Sequence, residues 1–197
     1  MNPLLTYLRW RHSKGFGVHS PYAYRFVTEV VRPGSYGYYS YWEIDENLRG
    51  TEKLSGDLNP RCSIRFIRFL IRTFVFLKAK RIIYRGEGGE KSEERTVEVA
   101  ARCLKIPVIK KWSRDKENFS EGDVLVTEGS AGTENLVNKA LDSSIAVLAL
   151  RPDGKVRALM RKPLERGLLL EDKALMILIP RSEMAYVAYD ISLLPHL

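Results

Sequence analysis

Hydrophobic and polar positions change their period near residue 80. Before it, apolar residues recur at helical spacing: Ala23, Phe26, Val27, Val30 and Val31 stand at i, i+3, i+4, i+7 and i+8 behind Ser20-Pro21, a capping residue followed by proline at the first helical position. This pattern predicts a helix over 21–31, ended by Pro33-Gly34. A tyrosine-rich turn (Tyr36, Tyr38, Tyr39, Tyr41) leads into a second helix carrying Ile44 and Leu48. Asn59-Pro60 then opens a third over about 60–77, with Ile64, Ile67, Leu70, Ile71, Phe74 and Val75 on its apolar face.

After residue 80, β-like runs at 81–84, 107–110, 124–127 and 145–150 alternate with helical patterns at 97–104 and 136–141. Such alternation predicts a parallel sheet covered by helices. Two further apolar runs, 175–179 and 185–189, are joined across Arg181-Ser182-Glu183-Met184 and read as a closing antiparallel hairpin. The expected fold class is α/β: a Rossmann-like parallel sheet with a terminal antiparallel hairpin and a helical N-terminal cap. At 197 residues and 45% hydrophobic content one core suffices, with residues 1–79 as a cap packed on a core of 80–197.

Charge is unevenly placed. Residues 1–80 carry 13 Lys/Arg against 6 Asp/Glu, a balance of +7, and the remainder contributes only +1. In the third helix Arg61, Arg65, Arg68 and Arg72 share one narrow stripe at spacings of 4, 3 and 4. The stripe reads either as a face for nucleic acid or another anionic partner, or as a solvated surface with local ion pairs. Two cysteines, Cys62 and Cys103, in no metal-binding or disulfide spacing, suggest a reducing cytoplasmic setting. The longest apolar stretch, 64–77, is broken by Arg65, Arg68 and Arg72, so no membrane span is expected.

The most informative segment is Arg81-Ile-Ile-Tyr-Arg-Gly-Glu-Gly-Gly-Glu-Lys-Ser-Glu-Glu, an apolar run entering a glycine turn and leaving it through a helix start. Gly86, Gly88 and Gly89 permit close backbone approach, and Ser92 offers a cap to a helix beginning near Glu93. The turn is acidic (Glu87, Glu90, Glu93, Glu94), which suits a cationic sulfonium ligand better than a pyrophosphate. Without a ligand, the same glutamates would only complement the helix dipole. Glu128, at the end of a strand, is placed to contact a ligand or act as general base, or else to cap the next loop or helix.

His19 beside Ser20 either reaches a ligand or stabilises the turn before the helix, and His12 lies in a basic segment that either touches phosphate or is mobile surface. Tyr22 and Tyr41, with Trp10, Phe16, Tyr24 and Trp42, form a lid over the pocket or pack the cap onto the sheet.

The order of elements resembles a class I S-adenosylmethionine-dependent methyltransferase. More narrowly, Arg11-His-Ser-Lys-Gly-Phe-Gly-Val-His-Ser-Pro-Tyr is similar to the N-terminus of a methyltransferase-like family of Bacteroidetes with a GVHSPF motif. The resemblance covers most of the chain, and the N-terminal block is its most specific part. It implies S-adenosylmethionine as cofactor, cradled by Gly86, Glu87, Gly88 and Gly89, with an unidentified small-molecule acceptor and Glu128-Gly129 in place of the family's Asp-Gly pair.

Departures are visible too. Tyr84 stands where the family often has an acid, and Lys110-Lys111-Trp112 ends the second strand where an acid would hold the ribose, leaving Asp115 as a displaced substitute. Only residues 111–122 separate that strand from the next, too few for helix, strand and helix, so one strand of the family's sheet is expected to be missing. A truncated sheet exposes an edge that a second copy could cover, giving a homo-oligomer. The expected protein is therefore a shortened, catalytically degenerate methyltransferase-like domain, with a non-catalytic binding module as the alternative.

Overall fold

Strand-like and helix-like runs after residue 80 assemble into a seven-stranded sheet with helices on both faces. The computed structural model describes residues 3–12, 14–15, 17–32, 64–86, 91–110, 118–129, 132–162, 166–182 and 184–191. In chain order these form α1 (Pro3–His12), α2 (Pro21–Phe26) continued by a π-helical turn (Val27–Val31), α3 (Ile64–Phe76), β1 (Arg81–Arg85), α4 (Lys91–Cys103) and β2 (Val108–Ile109). Then come β3 (Asp123–Glu128), α5 (Glu134–Asp142), β4 (Ala146–Leu150), α6 (Gly154–Met160), β5 (Gly167–Glu171), β6 (Leu175–Pro180) and β7 (Val187–Asp190).

The sheet order is β2-β1-β3-β4-β6-β5-β7, and only β6 runs against the rest. Period-two alternation divides its side chains between two cores. Ile82, Tyr84, Val124, Val126 and Leu148 face α2, the π-helical turn, α3 and α4, whereas Ile83, Leu125, Val147 and Ala149 face α5 and α6. The fold is thus a Rossmann-like α/β sandwich, as the alternation predicts. None of the described helices is long and apolar enough to cross a membrane.

The expected helix at 21–31 forms as α2 and its π-helical extension. Ser20 Oγ accepts from the Ala23 N–H at 3.3 Å, Pro21 opens the first turn, and Ala23, Phe26, Val27, Val30 and Val31 are all buried. The turn's last carbonyls have no partner within the helix. Arg72 Nε reaches across from α3 and donates to Val30 O at 2.7 Å. Replacing Arg72 with methionine is expected to cost about 1.5 kcal/mol, read as a lowered urea midpoint at constant slope.

Four expectations are corrected. The hairpin does not pair 175–179 with 185–189: β6 pairs antiparallel with β5, and β7 lies outside β5 and parallel to it. The run Leu168-Leu169-Leu170, buried on both faces, takes the place beside β6 that leaves no apolar face in water. On α3, Ile64 and Val75 are exposed while Phe66, Phe69 and Thr73 are buried, because the helix packs against the π-helical turn and α4 as well as the sheet.

The segment around His12 is not loose surface either. His12 ends α1, and its Nδ1–H donates to Asp190 O at 2.8 Å, fixing α1 against β7. Finally, α4 starts at Lys91, so Ser92 lies within its first turn instead of capping it. The tyrosine-rich turn, the helix carrying Ile44 and Leu48, Cys62 and the candidates Tyr41, Arg61, Glu87, Gly88, Gly89 and Asp115 lie outside the described residues.

Candidate ligand crevice

Strand order determines where a ligand can sit. From β1 the chain crosses through α4 on one face to β2, and from β3 it crosses through α5 on the other face to β4. The connections part between the carboxyl ends of β1 and β3, which is the switch point where open α/β sheets form a binding crevice. Glu128 ends β3 there, and Gly86 comes directly after β1.

Register explains how the crevice is lined. Tyr84 pairs with Val126 and Arg85 with Thr127, so Gly86 comes next to Glu128, and Tyr84 is the diagonal neighbour of Glu128 on the same face. Because residue 86 has no side chain, the Tyr84 hydroxyl donates to Glu128 Oε1 over it. A Cβ on Gly86 would lie 2.8 Å from that hydroxyl and 2.9 Å from Glu128 Cδ.

Burial, then the bond to Glu128 and its charge, then the charges of Glu93 and Glu94, push the Tyr84 phenol far above its ordinary value of 10.0. Its neutral form is favoured by folding, so this contribution to stability is present below pH 10 and is lost as the pH rises above it. Ultraviolet titration should find phenol that ionises above the ordinary tyrosine range, and Tyr84→Phe should remove the latest part of it, Tyr186 being raised as well by burial and by the charge of Glu171.

Two cations tie the rim together. Arg151, just after β4, pairs with Glu93 in the first turn of α4. It does so from a left-handed backbone, φ 46°, a conformation that costs a non-glycine residue about 1 kcal/mol. Lys110, just after β2, lies 2.7 Å from Glu94 Oε1 and also contacts Glu98, and its hydrogen bonds to Glu94 and Glu98 hold its ammonium above the ordinary lysine range. Thus the basic end of β2, where the resemblance implies an acid, turns to the carboxylates of α4.

Of the other candidates, Tyr22 stands at the opposite end of the strands, its ring 5.2 Å from Phe76 and 4.4 Å from the Arg181 guanidinium. His19 is exposed and donates its backbone N–H to Tyr189 Oη at 3.2 Å, on β7. Four strand spacings, about 19 Å, separate β7 from β3. Neither residue covers the crevice. Arg65 is exposed and Arg68 half-buried, while Arg72 is engaged with the π-helical turn, so the three do not form one solvated stripe. Arg151 is the crevice residue to which no motif points, whereas Glu93 and Glu94 belong to the acidic turn, and Tyr84 and Lys110 to strand ends where the resemblance implies an acid. For Tyr84 the signal was its position two residues before Gly86.

No group of three or more His, Cys, Asp and Glu among the described residues could hold a metal ion. The fold and crevice define a class: a Rossmann-like α/β domain whose switch-point crevice is ringed by carboxylates. No protein-family model, curated protein or solved structure matches the chain.

Proposed function

We propose that this chain is a methyltransferase-like protein that binds S-adenosylmethionine at the β1/β3 crevice and has little catalytic turnover. One observation carries the reading: Glu93, Glu94 and Glu128 surround the switch point, where Glu93 pairs with Arg151, Glu94 with Lys110, and Glu128 accepts from the uncharged Tyr84 hydroxyl. A ligand with an ammonium and a sulfonium group offers those carboxylates replacement partners. The glycine at 86 supports close approach, since any Cβ there would occupy the space between Tyr84 and Glu128.

S-adenosylmethionine supplies an electrophilic methyl group. Among the described residues, Gly86 would admit the donor's backbone-side edge, Glu93 and Glu94 would neutralise its positive charge, and Glu128 would orient the acceptor and take its proton as the acceptor oxygen or nitrogen displaces the thioether S-adenosylhomocysteine from the methyl carbon. Rate would come from proximity and alignment, not from a covalent adduct. Glu128 is engaged by the Tyr84 phenol, and this engagement is the basis for the reduced turnover.

Calorimetric titration with S-adenosylmethionine and S-adenosylhomocysteine tests the proposal. Saturable binding that falls at least tenfold in Gly86→Val is the expected result. A folded protein without binding, or binding indifferent to Gly86→Val, would remove it.

A second reading, a non-catalytic module for nucleic acid or another anionic partner, draws on α1. Residues 1–28 contain no Asp or Glu, and Arg11 and Lys14 lie over the exposed rings of Tyr7 and Trp10 at 5.9 and 4.1 Å. Affinity for a single-stranded oligonucleotide should then fall steeply between low and moderate salt and depend on Arg11 and Lys14. A flat salt response would count against it.

A further inference from the structure

A cleft of about 560 Å³ opens at the other end of the sheet, beneath the amino ends of β3 and β4 and the carboxyl end of β6. It shares no residue with the crevice, and its volume lies in the range that holds a small organic ligand. Its charged lining is Lys78, Lys80 and Arg181 against Glu121 and Asp123, and Asp123 is already occupied by Arg81 at 2.6 Å. Lys78 and Lys80 have no carboxylate partner among the described residues.

Two of these cations are positioned by built contacts. The Lys80 stem lies across Gly122, where a Cβ would come within 2.8 Å of its Cγ, and the Lys80 N–H donates to Gly122 O at 2.7 Å. Gly122 holds φ +91°, so it meets two demands, left-handed backbone and no side chain. At the far end, the Arg181 guanidinium rests on the Tyr22 ring, which is braced by Phe76. Three strand spacings, about 14 Å, separate the two ends. Lys78 closes α3 from φ 52° and Ser144 closes α5 from φ 56°, both at the margin of the cleft.

The carboxyl ends of α3 and α5 oppose an anion here, each with about half a negative charge. The last carbonyls of both helices already accept from the Ala79 and Ile145 N–H groups at 2.9 and 2.8 Å, and the two lysines outnumber Glu121. Ser143 and Ser144 add hydroxyl donors, and Phe76, Leu77 and Phe119 add an apolar wall. We infer that this cleft is a second ligand site, taking a nucleoside polyphosphate with its phosphates at Lys78 and Lys80 and its base along the apolar wall.

ADP, inorganic pyrophosphate and adenosine are the probes, titrated into the full chain at low ionic strength. ADP should bind saturably at one site, and pyrophosphate should displace it better than adenosine does. Lys80→Gln, which keeps the stem on Gly122 and removes the charge, should weaken ADP at least tenfold, and Arg181→Gln should also weaken it. Gly86→Val, at the crevice, should leave ADP binding unchanged, so failure here is separable from failure of the methyltransferase-like reading. Absence of saturable ADP binding by folded protein would overturn the inference. So would binding that survives in the Lys80→Gln/Arg181→Gln double variant, or binding lost in Gly86→Val.

Discussion

Gly129→Ala is expected to lower stability by about 3 kcal/mol or to prevent folding outright, although it adds a single methyl group. Gly129 comes directly after β3, donates its N–H to Leu150 O at 2.9 Å and accepts from the Asp153 N–H at 2.8 Å, so it is clamped on both sides by the β4–α6 connection. A Cβ there would stand 2.2 Å from Pro152 Cα and 3.0 Å from Asp153 N. These are backbone atoms, and no rotamer change relieves them. Gly132→Ala is the control: it has φ +96° and nothing within 4 Å of its would-be Cβ, so it should cost only about 1 kcal/mol through backbone conformation. Urea unfolding of the two variants measures the difference, and equal stabilities would show that the close approach at Gly129 is not limiting.

The second large effect is expected at Asp123. This residue is 5% exposed and accepts from Arg81 Nε and Nη2 at 2.8 and 2.6 Å and from the Ser120 N–H at 2.7 Å. Asp123→Ala removes all three bonds and leaves Arg81, itself only 28% exposed at its side chain, without its carboxylate, a loss of about 3 kcal/mol. Replacing both members, as Arg81→Met with Asp123→Leu, should cost clearly less than the sum of the two single changes. A double-mutant cycle in chemical denaturation reads the coupling, and strict additivity would argue that the pair contributes nothing of its own.

Much of this fold is legible in the sequence because its period is strong where one face is buried. The five apolar positions at 23–31 and the capping Ser20 give α2 correctly, and the runs at 81, 124 and 145 give β1, β3 and β4 to within a residue or two. Three elements are not legible for a common reason: their context comes from distant chain. The segment 3–12 lacks a clear apolar stripe and is held at β7 through His12. Helix α6 is short, and its signals are only the Asp153 cap, donated to by the Val156 N–H at 2.8 Å, and three buried residues. Strand β5 is an unbroken leucine run without alternation, and local turn chemistry draws β6 toward β7 although β5 lies between them.

The candidate site is legible at the level of the strand ends and not at the level of contacts. Gly86 and Glu128 lie together, because both depend on the position of the switch point. Arg151 and Lys110 are not foreseeable as rim residues, since each finds its glutamate on α4 from the end of a different strand. His19 and Tyr22 share a motif and a helix start with nothing in the sequence to say which end of the sheet they approach.

The contact of α1 with β7 links residues separated by 178 positions, so the helix is made well before the strand it docks on. On a ribosome, α1 therefore emerges long before its docking surface exists. Its Leu4, Tyr7 and Trp10 remain exposed even afterwards, so until β7 is made this segment is available to chaperones or to neighbouring chains. The completion of β7 thus governs when α1 gains its docking surface.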